Sequence, residues 1–156
     1  MNVRIVDFPE TRVAAVEHRG PPALEHESAR RLIAWRVANG LPPERHATYG
    51  VHHTDPRTTP AADHRVDFCV ALAPLAHEVA SNPQGVVPKT IPGGRCAVMR
   101  HHGSRDDVTA AAYLAEEWLP ASGEAVGDFP MFFHYVNVGP HVRAEDMITD
   151  VYLPLR

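Results

Sequence analysis

The chain of 156 residues is 44% hydrophobic and 22% charged. That is the balance of a globular domain with a core and excludes a wholly disordered chain. Its formal charge of −4 argues against nucleic acid as a direct partner. No apolar run reaches the roughly 18 residues of a spanning helix, no leader pattern opens the chain and 2 cysteines make no disulfide framework, so the expected compartment is the cytoplasm.

The first half predicts strands at Val3–Val6 and Arg12–His18, on either side of Pro9, which has no N–H to give a ladder. Leu24–Ala38 predicts a helix with Leu24, Ser28, Leu32 and Trp35 on one stripe. Asn39-Gly40 stops it, because glycine accepts the left-handed cap. Strands follow at Thr48–His53 and Arg65–Ala73, with Asp55-Pro56 and Thr59-Pro60 in the loop between them. After a linker over residues 74–83 the same order returns. Val86–Ile91 and Arg95–His102 predict strands. Arg105–Leu119 predicts a helix with Val108, Ala111, Ala112 and Ala115 on one face, ended by Pro120. Met131–Asn137 and Ile148–Leu155 predict the last two strands.

This recurrence is an internal repeat. Shifted by 83 positions without a gap, Trp35 falls on Trp118, Gly20 on Gly103, Gly40 on Gly123 and Asp67 on Asp150. The chain therefore reads as one domain, 1–156, made of homologous halves 1–73 and 84–156. Each half is a β-α-β-β unit with a short leading strand. The predicted class is α+β, an antiparallel sheet with two helices on one face.

Strand alternation sorts the side chains. Val66, Phe68, Val70 and Leu72 should face the helix, with Asp67, Cys69, Asp150 and Tyr152 on the opposite side. Arg12 and Arg95 are retained in both halves, as the aspartates are, so a twofold-related pair of structural Arg–Asp contacts is expected. The 11 histidines invite a metal reading. However, His52-His53 and His101-His102 are strand neighbours that point to opposite faces, so no metal site and no cofactor are expected. No serine sits in a nucleophile elbow, and no catalytic residue can be named.

Taken together, the motifs resemble the GyrI-like small-molecule-binding domain, the effector-binding domain of AraC- and BmrR-type transcription regulators. They are Phe8-Pro9, His18-Arg19-Gly20-Pro21, Asn39-Gly40-Leu41, Tyr49-Gly50, Asp55-Pro56 and Arg65-x-Asp67 in the first half. Ile91-Pro92-Gly93-Gly94, Trp118-Leu119-Pro120, Pro130-x-Phe132-x-x-Tyr135 and Thr149-Asp150-x-Tyr152-Leu153-Pro154 carry it through the second. The resemblance spans essentially the whole chain and implies a duplicated fold with a ligand cleft at the junction of the halves. No helix-turn-helix segment precedes the first strand here, so the chain resembles the stand-alone branch. That branch implies binding or sequestering a small molecule, modulating DNA gyrase or another protein, or hydrolysing a reactive small molecule. One position departs from the family pattern Pro-x-Phe-Glu-x-Tyr: the glutamate that would attract cations is Phe133. A neutral aromatic or apolar ligand is therefore expected. The expected binding residues are Tyr49, His52, Tyr113, Trp118, Phe133 and Tyr135.

Overall fold

The computed structural model describes residues 2–72 and 78–156. Residue 73, the expected end of the fourth strand, and residues 74–77 of the expected linker lie outside the described residues. The strands are β1 (Val3–Phe8), β2 (Thr11–Arg19), β3 (Thr48–His52), β4 (Arg65–Ala71), β5 (Val87–Ile91), β6 (Gly94–His102), β7 (Phe132–Tyr135) and β8 (Ile148–Pro154). The helices are α1 (Glu25–Asn39), α2 (Thr109–Ala112) and α3 (Leu119–Ser122), and a π-helical stretch, Tyr113–Trp118, joins the last two. The class is α+β, and the strand pairings within the units described below are antiparallel. No helix among the described residues is long and apolar enough to cross a membrane.

Two compact units emerge: a central unit, Thr11–Ile91, and a terminal unit, Met1–Glu10 with Pro92–Arg156. The central sheet runs β3-β4-β2-β5 and the terminal sheet β7-β8-β6-β1. Their registers repeat at the offset of 83: Val13 faces Ala71 as Cys96 faces Pro154, and Gly50 faces Phe68 as Phe133 faces Val151.

The compact units are not the sequence halves, because the leading strands are exchanged. β1 pairs with β6, and β5 pairs with β2. The chain between β1 and β2 explains this. Two residues, Pro9 and Glu10, separate the strands, and a two-residue hairpin needs positive φ in its turn. Proline is locked near −65°, so β1 cannot fold back on β2. Pro92 imposes the same block between β5 and β6.

Each unit buries one helix stripe against its sheet. In the central unit Leu32, Trp35 and Leu41 pack on Ala14, Val16, Val70 and Leu72. Ser28 is buried as expected, but Leu24 is not on this stripe. It ends a short 3-10 turn, Pro22–Leu24, and stays 44% exposed. Gly40 caps α1 with φ of 70°.

In the terminal unit Ala110 and Leu114 are the buried helix residues, whereas Val108 is exposed. Pro120 does not end the helix. It sits in the first turn of α3, and Gly123 caps the segment with φ of 77°. A proline inside an α-helix removes one bond and clashes with the carbonyl four residues earlier. The π stretch just ahead widens the turn there and lets the chain continue past the ring.

Candidate functional site

In β7 alternate side chains separate. Phe132 turns away from the helix into an aromatic group, stacked on Tyr152 at 4.9 Å and edge-on to Phe8 at 4.9 Å. Phe133 turns toward the helix and packs, partly buried, on the cluster of Ala97, Met99, Leu114, Val151 and Leu153. Tyr113 and Trp118, the two ends of the π stretch, pack partly buried on the same cluster. The structure thus brings Tyr113, Trp118 and Phe133 to one apolar surface. Tyr135 shares the strand face of Phe133, with ring centroids 6.4 Å apart.

Beside Phe133 lies a shallow dimple of about 10 Å³, lined also by Arg105, Asp107, Ala111, Thr149 and Val151. Arg105 is its fixed positive charge, opposite in sign to Asp107. Its guanidinium donates to the Asn137 carbonyl at 2.8 Å, the Ile148 carbonyl at 3.2 Å and the Thr149 hydroxyl at 3.3 Å, and it lies 5.0 Å from the Tyr135 ring centre. A cation already over Tyr135 makes that ring a poorer seat for a second one.

The central-unit candidates divide. His52 is opposite Val66 on the helix-facing side. Burial, with His64 and His53 nearby, pushes its imidazole down to about 4, so it is neutral at pH 7. Tyr49 is opposite Cys69 on the other side and is buried. Tyr49 and His52 are three apart on one strand, so alternation keeps them on opposite faces.

The retained aspartates are paired, but not with the retained arginines. Asp150 takes a two-pronged bond from Arg100, directly across in register, at 2.8 and 3.0 Å. Asp67 faces Glu17, a like charge, across the ladder. Lys89 resolves that repulsion, reaching Glu17 at 2.7 Å and Asp67 at 2.9 Å, while His53 adds a bond to Asp67 at 2.8 Å. Arg95 instead holds Glu124 at 3.1 Å. Register decides the partner, and repetition in sequence does not.

The histidines act as clasps. His18 bridges Ser28 at 2.8 Å and the Gly20 carbonyl at 3.1 Å; His46 bonds the Ala71 carbonyl at 2.9 Å; His64 joins Glu25 at 2.7 Å to Thr54 at 3.1 Å. Among the described residues no group of three His, Cys, Asp or Glu side chains could hold a metal ion. Burial raises both thiols, Cys96 to about 11, so neither is a ready nucleophile. Sequence reasoning missed Arg105 and the π stretch. Arg105 stands in an ordinary charged run, and the π stretch left Pro120 as its one trace.

The GyrI-like small-molecule-binding domain model matches residues 1–156. The chain is 38% identical to the probable transcriptional regulator YgiV of Escherichia coli (strain K12), over 99% of this chain and 96% of that one. It is 29% identical to a DNA gyrase inhibitor of Erwinia billingiae, over 99% and 97%. Its fold matches the EcmrR C-terminal domain with a TM-score of 0.74 at 15% identity, over 99% of this chain and 97% of that one. It spans 57% of the EcmrR chain in a DNA complex, with a TM-score of 0.75. With the family model matched from end to end, this chain belongs to the GyrI-like small-molecule-binding domain family.

Proposed function

We propose that the protein binds a small, neutral aromatic or apolar molecule against the helix-facing side of the terminal unit, as a sequestering or effector-sensing protein. One observation carries this reading: Tyr113, Trp118 and Phe133 converge on a single apolar cluster, yet each stays only partly buried. Large rings held at the edge of a core are apolar area available to a ligand. Phe133 brings no charge, and Arg105 beside Tyr135 disfavours a cation. Tyr135 would supply a polar tip to orient a ligand there. Tyr49 and His52 belong to the central unit and are candidates of that unit alone.

The test is a titration with the neutral fluorophore N-phenyl-1-naphthylamine, run in parallel with tetraphenylphosphonium. The neutral probe should bind more tightly, and Phe133→Ala should weaken it about tenfold, the factor that corresponds to ~1.4 kcal/mol. Unchanged affinity in a folded Phe133→Ala variant would remove Phe133 from the site. A second reading, modulation of DNA gyrase, is favoured by the name of the Erwinia billingiae relative. Purified protein that leaves gyrase supercoiling unaltered would set it aside.

A further inference from the structure

At several positions the first half of the repeat carries a side chain where the second has glycine. Three of these glycines meet in the terminal unit, away from Phe133. Glu10, Thr11 and Glu44 of the first half have Gly93, Gly94 and Gly127 as their counterparts. Two of these glycines are required by close backbone approach. A Cβ on Gly93 would come within 2.8 Å of the Glu10 nitrogen, and one on Gly127 within 3.0 Å of the Leu155 carbonyl oxygen. The result is a wall of bare backbone where the chain enters β6 and leaves β8.

The neighbouring loop has changed too. His46 of the central unit is buried and fastened to the Ala71 carbonyl at 2.9 Å. Its counterpart, Phe129, has no imidazole to make that bond. Its ring instead stands half-buried and edge-on to Phe132 at 6.2 Å. Between Phe129, Cys96, Pro154 and the three glycines is an open depression of about 170 Å³. An apolar cavity of roughly 150 Å³ is already large enough to hold benzene.

We infer that this depression is a second binding site, for an uncharged aromatic of one or two rings. Phe129 offers a ring edge or face, Pro92, Pro154 and Leu155 offer apolar wall, and the glycine backbone lets a flat molecule approach closely. The Cys96 thiol stays protonated and acts as a soft contact for a ring. The charges at the rim do not ask for an ionic ligand. Arg95 is held by Glu124 at 3.1 and 3.2 Å and by the Arg156 carbonyl at 3.0 Å, while Asp128 is fully exposed, 3.8 Å from Arg156.

The site is independent of the one at Phe133, and one experiment separates the two. Indole is titrated into isotope-labelled protein while the amide resonances of Gly94 and Gly127 are followed. These glycines should shift and saturate, with a dissociation constant at or below about 1 mM, an affinity of ~4 kcal/mol. Phe129→Ala should weaken that binding about tenfold, and Phe133→Ala should leave it unchanged. Shifts that rise linearly without saturating, or that appear only around Phe133 and Trp118, would overturn the second site. The wild-type titration decides this even if a variant fails to fold.

Discussion

The two units share registers, a glycine helix cap and the lengths of their two longest strands, yet they treat the same helix differently. In the central unit α1 is regular and buries Trp35 to 2% exposure. In the terminal unit the equivalent helix is interrupted by the π stretch, and Trp118 stays partly exposed. A tryptophan retained in both halves therefore has two environments. One fills a core, and the other stands at the edge of a core, where the proposed ligand would meet it. Symmetry marks the scaffold, and its breaking marks the candidate site.

The sharpest way to break this comparison is to delete each ring. Trp35→Ala should cost about 3–5 kcal/mol of stability, since it empties a closed core. Trp118→Ala should cost about 1–2 kcal/mol, in keeping with partial burial, and should abolish most binding of N-phenyl-1-naphthylamine. Urea unfolding and fluorescence titration measure the two effects. Equal destabilisation by both variants would erase the distinction.

The next effect is set by pH. His52 titrates near 4 in the folded protein, below the ordinary 6.5. The unfolded chain therefore binds the proton first as pH falls. Stability is full above pH 6.5, declines between 6.5 and 4, and is lowered by at most about 3 kcal/mol below that. His52→Gln should flatten this part of the stability profile, compared with wild type at pH 7 and pH 4.5. The terminal unit has Tyr135 at this position, but burial also pushes the neighbouring His134 imidazole down, so His52→Gln should flatten the slope without abolishing it.

A smaller effect lies in the aspartates. Asp150 loses its two-pronged partner in Arg100→Met, which should cost about 1–3 kcal/mol, reduced because the arginine is half exposed. Lys89→Met leaves Glu17 facing the buried Asp67 with only His53 to offset it and should also cost about 1–3 kcal/mol. Denaturant midpoints measure both variants. The smallest expected effect is Leu24→Ala, within about 0.5 kcal/mol, because Leu24 has left the buried stripe.

Much of this scaffold is legible in the sequence because it is repeated. The offset that aligns Trp35 with Trp118 also aligns β2 with β6 and β4 with β8, residue for residue. What escaped depends on geometry that no spacing encodes. Pro9 is legible as a strand break, yet its consequence, and that of Pro92, the exchange of leading strands, depends on the turn dihedrals they forbid. Pro120 signals a helix stop in sequence, whereas a local change of helix type accommodates it. Repetition pairs Arg12 and Arg95 with the aspartates, while Arg100 and Lys89 are the residues whose side chains reach them. Phe133 and Trp118 could be named as candidates, but their meeting on one cluster is a matter of packing.

The central claim is that the two tryptophans differ in function. It is tested most directly by fluorine NMR of protein labelled with 5-fluorotryptophan, which gives one resonance for each of the 2 tryptophans. On titration with N-phenyl-1-naphthylamine the Trp118 signal should shift and saturate while the Trp35 signal stays in place. A shift confined to Trp35, or no change in either signal at saturating probe, would contradict the account.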